Sequence, residues 1–330
     1  MEKISWGIIG CGNVTEVKSG PAFQKVPDSS LVAVMRRDAD KAADYAQRHR
    51  VPKWYTRAED LIADPDVTAI YIATPPVYHE MYALAALEAG KPVYVEKPFS
   101  SNLRSCYRIK EFADQSGIPL SVAHYRRALP KFLAIKKILE KEKLGKISTV
   151  HIRMQIPDQS EAMASRGEYN WRVIPAIAGG GIFFDLAPHQ LDLLVYFFGE
   201  AVDYNGIAEN QAGLYAAEDT VSGTARMSND IQFSGQWCFC SPDSFREDLF
   251  EITGTKGKMT FSTFGHDLSI ITVLGEEKID FTPPAHIQQP MIEKVTQYFL
   301  GKGPNPCTAE DAIQSFVLMD AFTREYYRKD

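Results

Sequence analysis

The stretch "ISWGIIGCGNVT", residues 4–15, decides the fold of this 330-residue chain. An apolar run ends at Gly10 and Gly12, and a helical pattern follows through about Lys25. Glycine permits a tight turn at Gly10, and at Gly12 the missing side chain lets a pyrophosphate approach the backbone. The first N–H groups of the helix would bind the same anion. Thr15 stands where a third glycine is usual, so the fingerprint of a dinucleotide site is incomplete.

Strand and helix patterns alternate after this turn. Strands are predicted at 29–37, 68–76, 91–98 and 119–125, and helices at 38–50, 78–90 and 102–117. Several of these strands are apolar throughout, which is typical of strands covered on both faces in a parallel sheet. The alternation therefore predicts a doubly wound α/β fold for this part of the chain.

From about residue 147 the pattern changes to strands in succession. Strands are predicted at 147–156, 220–228, 231–240, 249–263 and 268–282, and helices at 189–199 and 309–330. Gly254 and Gly257 bracket a predicted hairpin. The second half is therefore expected to form a largely antiparallel sheet with a few helices.

Composition and charge argue against several classes of protein. Apolar residues make up 45% and charged residues 24% of the chain, as in ordinary globular proteins. The net charge of −6 argues against a nucleic-acid partner. No secretory signal or membrane-spanning segment is predicted. The five scattered cysteines favour a reducing cytoplasm, and Cys238 and Cys240, expected on one strand face, lack the second pair that a metal site needs, so no metal is predicted.

The end of the second strand predicts which nicotinamide cofactor is bound. NAD sites usually carry an acid there, which binds the ribose hydroxyls. This chain has Arg36 and Arg37 instead, and a guanidinium at Arg36 pairs well with a 2′-phosphate. NADP(H) is therefore predicted in preference to NAD(H), with a pair of solvated arginines as the alternative. The nearest acid, Asp38, is expected to cap the next helix.

Four segments together resemble the Gfo/Idh/MocA oxidoreductases, which include glucose–fructose oxidoreductase and inositol dehydrogenases. They are GCGNVT (10–15), ATPPVYHEMYALAALEAGKPVYVEKPFS (73–100), NWRVIPAIAGGGIFFDLAPHQLD (170–192) and ITGTKGKM (252–259). The combination of EKP after a strand with GGG, Asp185 and His189 is specific to this group. The family pattern DxGxH has Ala187 in place of glycine here, which is small enough to keep the turn. Pro188 fits the first turn of the helix that follows.

The resemblance implies a fold and an activity. It implies a Rossmann domain, predicted at 1–123, and a second α/β domain with a large, mainly antiparallel open sheet, predicted at 124–330. The helix at 309–330 is expected either in the second domain or packed back on the first. The implied reaction is reversible oxidation of a secondary alcohol on a sugar, cyclitol or related diol with NAD(P). Dimers or tetramers that form through the second sheet are also implied.

The chemistry of that reaction assigns roles to three residues. Alcohol oxidation needs a base for the hydroxyl proton and a group that stabilises charge on the oxygen. His189 is the predicted base because imidazole titrates near neutrality, and Asp185, four residues earlier, would orient it. Lys97 follows a strand, where ligands of open α/β sheets bind, and would polarise the substrate oxygen. A capping histidine and a solvated strand-end lysine are the alternatives.

Further residues complete the predicted site. The cofactor is expected to contact Gly10, Gly12, Asn13, Val14, Arg36, Arg37, Thr74, Pro75, His79, Glu96 and Lys97. The role of Glu96 rests on the resemblance, and capping of a helix is the alternative for His79. Substrate contacts are predicted at Tyr125, Arg126, Tyr169, Trp171, Arg172 and His189, with core packing as the alternative for Trp171. The arginines suit a carboxylate or a multiply hydroxylated ligand.

Two other functions remain open from the sequence. One is an NAD-dependent glycoside hydrolase of the same fold, which uses its bound cofactor transiently. The other is a non-catalytic regulator that senses the cofactor. Such regulators often lose the lysine or the histidine, so the presence of both Lys97 and His189 counts against this alternative.

Overall fold

The computed structural model describes residues 2–157 and 171–328. The chain divides into two compact units. The first comprises Met1–Leu129 and Pro284–Ile313, and the second comprises Pro130–Pro283 and Gln314–Asp330. The boundary was expected after residue 123. In the structure the first unit extends to Leu129 and also includes the segment Pro284–Ile313, which returns to it from later in the chain. Ring packing within the first unit explains the return, since Phe299 lies 5.5 Å from Trp6 between centroids.

The first unit contains a six-stranded parallel sheet. Its strands are β1 (Ile4–Ile9), β2 (Ser29–Met35), β3 (Lys53–Tyr55), β4 (Ala69–Ile72), β5 (Val93–Val95) and β6 (Leu120–Val122). They are arranged in the order β3-β2-β1-β4-β5-β6. The predicted doubly wound sheet is therefore confirmed. The order reverses between β1 and β4, which is where ligands of such sheets bind.

Helices connect the strands of the first unit. They are α1 (Asn13–Val17), α2 (Ala39–His49), α3 (Ala58–Ala63), α4 (His79–Glu88) and α5 (Leu103–Ser116). The helix expected to run to Lys25 is interrupted, because α1 ends at Val17 and a 3-10 helix follows at Gly20–Gln24. Pro21 explains the interruption, because it has no N–H to donate to the carbonyl oxygen of Val17, four residues earlier, and its ring would clash with that carbonyl.

The second unit contains an eight-stranded sheet. Its strands are β7 (Ile147–Gln155), β8 (Ala201–Glu209), β9 (Thr220–Met227), β10 (Gln232–Cys238), β11 (Glu247–Gly254), β12 (Gly257–Phe261), β13 (Asp267–Thr272) and β14 (Gly275–Asp280). They are arranged in the order β14-β13-β12-β11-β7-β10-β9-β8, and only β7 and β10 pair in parallel. The predicted, mainly antiparallel sheet is confirmed. Gly254 and Gly257 face each other across the β11–β12 hairpin.

Five more helices complete the described chain: α6 (Pro130–Glu140), α7 (Pro175–Ala178), α8 (Ile182–Phe198), α9 (Gln289–Phe299) and α10 (Ala309–Tyr327). The start predicted for α8 at residue 189 was wrong. Ala187 was expected in a turn and Pro188 in the first turn of the helix, but both lie inside α8. The apolar residues 182–184 extend the helix because they are buried, and this outweighs the one helical hydrogen bond that Pro188 removes. None of the helices in the described ranges is long and apolar enough to span a membrane.

Candidate functional site

The glycine turn follows β1 and packs against the residues that follow β4. Gly10 has a φ of +93°, and a Cβ there would lie 2.8 Å from Cγ2 of Thr74. Only glycine suits this conformation and this close approach. Around Gly12, in contrast, the atom nearest to an added Cβ would be the Gly10 carbonyl oxygen, 3.9 Å away. The open space over Gly12 fits a dinucleotide whose pyrophosphate approaches the backbone.

Thr15, in place of the third glycine, stabilises this turn. The Thr15 hydroxyl is buried and donates to the Gly12 carbonyl oxygen at 2.7 Å. The Tyr45 hydroxyl donates in turn to the Thr15 carbonyl oxygen at 2.8 Å. The turn therefore keeps its shape without the third glycine. Asn13 and Val14 open α1 directly behind it.

Arg36 lies beside the same turn. Its Nη1 donates to the Cys11 carbonyl oxygen at 3.2 Å, and its side chain is half-buried. Arg37 is exposed, and its Cζ lies 5.4 Å from the centroid of the Tyr78 ring. Asp38 caps α2 as predicted, because its carboxylate accepts from the Lys41 N–H at 3.1 Å.

His79 links the segments that follow β4 and β5. Its ring is fully buried, with Nε2 2.8 Å from the Thr74 carbonyl oxygen and Nδ1 3.1 Å from the Pro98 carbonyl oxygen. Burial lowers the pKa of His79 to about 4, although hydrogen bonds to these carbonyls oppose the shift. A neutral ring carries one N–H and so donates to one of these two carbonyl oxygens, and the buried ring lies between the segments that follow β4 and β5, at the edge where Pro75 also lies.

Lys97 stands two residues beyond β5, and Glu96 fixes its backbone. The buried Glu96 carboxylate accepts from the Tyr71 hydroxyl at 2.5 Å, from Gln288 Nε2 at 2.8 Å and from the Lys97 N–H at 3.1 Å. The Lys97–Pro98 peptide bond is cis. All three partners of Glu96 lie in the first unit. Tyr71 and Gln288 hold the Glu96 carboxylate in place, and the carboxylate in turn holds the backbone of Lys97. Gln288 belongs to the returning segment, and no local pattern in the sequence indicates it.

In the second unit, α8 carries the predicted acid–histidine pair. Asp185 and His189 are four residues apart on this helix and so share a face. The Asp185 Oδ2 accepts from Arg172 Nε at 3.1 Å, and the Arg172 guanidinium lies 4.6 Å from the Trp171 ring centroid. The His189 ring is buried and meets the Phe264 ring edge-on, with centroids 5.5 Å apart. The structure therefore brings four predicted residues together in this unit.

Gln190, which the sequence did not single out, anchors the middle of α8. Its Oε1 accepts from Trp237 Nε1 at 2.6 Å, and its Nε2 donates to Asp248 Oδ1 at 3.3 Å. The Asp248 Oδ2 also accepts from the Phe264 N–H at 2.7 Å. The same network thus holds the helix and the aromatic ring that contacts His189.

The triple glycine before α8 is explained residue by residue. Gly179 ends α7 with a φ of +90°, which favours glycine. A Cβ at Gly180 would lie 2.1 Å from the Phe184 ring, and a Cβ at Gly181 would lie 2.5 Å from the Glu218 carbonyl oxygen. Two of the three glycines are therefore required by close packing against other residues of the second unit.

The remaining predicted substrate contacts are divided between the units. Tyr125 and Arg126 are buried in a 3-10 helix of the first unit, whereas Trp171 and Arg172 belong to the second. Tyr169 lies outside the described residues.

The Cys238 and Cys240 sulfurs lie 3.7 Å apart, but β10 ends at Cys238, so Cys240 is not on the expected strand. In residues 2–157 and 171–328 no group of three His, Cys, Asp or Glu side chains is arranged to hold a metal ion.

A glycine turn at the switch point of a Rossmann sheet, followed by a unit with a large, mainly antiparallel sheet, defines a class of NAD(P)-dependent oxidoreductases. Residues 4–124 match the family model for the NAD-binding Rossmann fold of an oxidoreductase family, and residues 132–260 match the GFO/IDH/MocA C-terminal domain. The chain is 43% identical to Oxidoreductase P35 of Formosa agariphila over 322 residues. The aligned region covers 97% of this chain and 98% of that protein. The chain belongs to the Gfo/Idh/MocA family of oxidoreductases, as its motifs predicted.

Two further similarities extend over almost the whole chain. The 1,5-anhydro-D-fructose reductase of Ensifer adhaerens is 25% identical over 321 residues, which cover 94% of this chain and 93% of that protein. The structure of a levoglucosan dehydrogenase in complex with NADH and levoglucosan superimposes with a TM-score of 0.84 at 22% identity. It covers 99% of this chain and 98% of the other. At this identity the structural match shows a shared fold.

Proposed function

We propose that the protein is an NADP(H)-dependent enzyme that interconverts a secondary alcohol with a ketone or aldehyde on a sugar, cyclitol or related diol. The observation that carries the proposal is the face of α8 on which Asp185, paired with Arg172, precedes the buried His189 by one helical turn. The names of two related proteins, 1,5-anhydro-D-fructose reductase and levoglucosan dehydrogenase, support a carbohydrate-like substrate.

Each proposed catalytic residue has a defined task in alcohol oxidation. His189 accepts the hydroxyl proton, and Asp185 orients its ring. The Lys97 ammonium donates a hydrogen bond to the substrate oxygen and stabilises the charge that develops there. The bound cofactor supplies the acceptor for the hydride that leaves the carbon. Tyr125, Arg126, Trp171 and Arg172 are further proposed substrate contacts.

The preference for NADP(H) rests on Arg36, with NAD(H) as the alternative. The hydrogen bond to the Cys11 carbonyl holds the Arg36 guanidinium beside the glycine turn, directly after β2. This is the position from which the residue after the second strand reaches the adenosine ribose in Rossmann sheets. A guanidinium there stabilises a 2′-phosphate, whereas an acid would repel it.

A panel of sugars and polyols, assayed by nicotinamide absorbance with each cofactor, tests the proposal. We expect turnover with at least one secondary alcohol, and a kcat/KM for NADP⁺ about 10–100-fold above that for NAD⁺, because one charge-assisted pair is lost with NAD⁺. Arg36→Asp should reverse the preference. Arg57→Asp is the matched control, because Arg57 is an exposed arginine at the start of α3.

Three results would contradict parts of this proposal. Tighter binding of NADH than of NADPH would refute the role of Arg36. Turnover of a glycoside without net change in nicotinamide absorbance would favour the hydrolase alternative. Binding of NADPH without turnover of any compound in the panel would favour the regulator.

We also propose that the protein forms a dimer or tetramer through the sheet of the second unit. Along β7, buried Val150, Ile152 and Met154 alternate with half-buried His151 and Arg153, so one face of this strand lies in the core and the other is polar. The polar face belongs to the sheet through which the family resemblance implies dimers or tetramers. Sedimentation equilibrium should give a mass of two or four times 37.0 kDa. A single 37.0-kDa species at all protein concentrations would refute the proposal.

A further inference from the structure

A fully buried carboxyl group lies at the N-terminus of the helix that carries Asp185 and His189. Glu218 precedes β9, and both of its carboxylate oxygens accept from the Gly181 N–H, at 2.9 and 3.0 Å. Gly181 is the N-cap of α8 and provides no side chain to cap the helix. Glu218 thus supplies from another part of the chain the negative group that a helix N-terminus favours.

The end of the C-terminal helix holds the same carboxylate. The Tyr327 hydroxyl donates to Glu218 Oε2, and the hydroxyl of its neighbour Tyr326 donates to the Ala216 carbonyl oxygen at 3.0 Å. Two adjacent tyrosines at the end of α10 therefore bind the segment that contains Glu218. We refer to Gly181, Glu218 and Tyr327 as the Glu218 cluster.

The cluster leaves little room for adjustment. A Cβ at Gly181 would lie 2.5 Å from the Glu218 carbonyl oxygen and 3.0 Å from Cβ of Ala217. The start of α8 is therefore fixed both by hydrogen bonds and by close packing. Because Asp185 lies in the first turns of this helix, a shift of Gly181 would move Asp185 and, one turn later, His189.

We propose that Glu218 and Tyr327 are positioning residues, which hold α8 so that Asp185 and His189 keep their geometry for the reaction. This inference rests on the proposed catalytic role of those two residues. Neither Glu218 nor Tyr327 belongs to any of the sequence motifs that mark the family resemblance.

The ionisation of Glu218 provides a readout that packing alone would not affect. Burial raises the pKa of the Glu218 carboxyl to about 7, and the neighbouring charge of Asp219 acts in the same direction. The hydrogen bonds from Tyr327 and Gly181 oppose this shift. The group is therefore mainly neutral below this pH and mainly a carboxylate above it, and only the carboxylate is a charged acceptor for the Gly181 N–H.

The experiment compares Glu218→Gln, Glu218→Ala and Tyr327→Phe with Asp219→Asn as the matched control. Asp219 is an equally buried acid, but it accepts from the Gln211 and Ala212 N–H groups and so holds a different loop. For each variant we would measure kcat between pH 6 and 8, the Kd for NADPH, and hydrogen exchange of amides 181–190 by mass spectrometry.

We expect Glu218→Ala to lower kcat by about 10–100-fold, because small displacements of reacting groups are costly. The Kd for NADPH should stay within about twofold of that of the unchanged protein, since the cluster lies in the second unit. Glu218→Gln should match the unchanged protein at pH 6 and fall about fivefold below it at pH 8, where the charged acceptor is lost. Asp219→Asn removes a charge that raises the pKa of Glu218, so it should lower the pH at which Glu218 ionises and keep kcat at pH 8. Exchange of amides 181–190 should quicken in Glu218→Ala and Tyr327→Phe.

Unchanged exchange of amides 181–190 in Tyr327→Phe and in any Glu218 variant that folds would overturn the inference. Faster exchange with unchanged kcat would also overturn it, because α8 would then be loosened without effect on the reaction. If the unchanged protein turns over no alcohol, the proposed function fails, and hydrogen exchange still reports separately whether the cluster holds the helix.

Discussion

Replacing Lys97 with alanine is expected to lower kcat for alcohol oxidation by about 10²–10³-fold, which is the usual effect of removing a donor that stabilises charge on a reacting oxygen. The buried Glu96 carboxylate holds the Lys97 backbone through the Lys97 N–H at 3.1 Å, and it is itself held by Tyr71 and Gln288. This backbone support remains when the side chain is truncated. The loss should therefore appear in kcat, and the Kd for NADPH should change by less than about threefold.

Lys91 offers a matched control for this prediction. It precedes the same strand, β5, and donates from Nζ to the Asp64 carbonyl oxygen at 2.7 Å. Lys91→Ala removes an ammonium of the same kind from the other end of the strand, and it should leave kcat nearly unchanged. Cofactor binding is measured by NADPH fluorescence and kcat by nicotinamide absorbance. A Lys97→Ala enzyme that retains more than about a tenth of the original kcat would contradict the assigned role.

The sequence predicted the sheets well but not where their strands end. The pattern of apolar residues placed a strand at 91–98, whereas the hydrogen-bonded strand is Val93–Val95. Pro92 and Pro98 explain the difference, because neither has an N–H to donate to a ladder. Glu96 and Lys97, which follow the strand, are the residues with proposed roles in the site. The prediction of too long a strand therefore did not change which residues were assigned to the site.

Contacts between distant parts of the chain were beyond the reach of local patterns. The Glu96 carboxylate is bound by Gln288, 192 residues away, and the Gly181 N–H by Glu218, 37 residues away. The sequence predicted that Asp185 orients His189, and it did not predict the ion pair between Asp185 and Arg172. That ion pair depends on how the chain between the two residues folds. Periodicity identifies which face of an element is buried, and it contains no information about which distant side chain meets that face.

Replacing His189 with asparagine is expected to lower kcat by about 10²–10⁴-fold, the range of effects that general-base catalysis typically contributes. Asparagine is close to imidazole in size and keeps a polar group on the buried face of α8, so the contact with Phe264 is only partly lost. The base must be neutral to accept the hydroxyl proton. Activity of the unchanged enzyme in oxidation should therefore fall as the pH is lowered, and the variant should lack the part of this fall that the imidazole causes.

The reverse reaction of the unchanged enzyme should have the opposite pH dependence. Reduction of the carbonyl needs the protonated imidazole, so the rate of reduction should decline as the pH rises. His151→Asn is the matched control, because His151 lies in the same unit on β7 with its Nδ1 2.9 Å from the Ser234 hydroxyl. That variant should keep both pH profiles. If the factor by which His189→Asn lowers kcat were the same at every pH, His189 would support the helix and would not be the base.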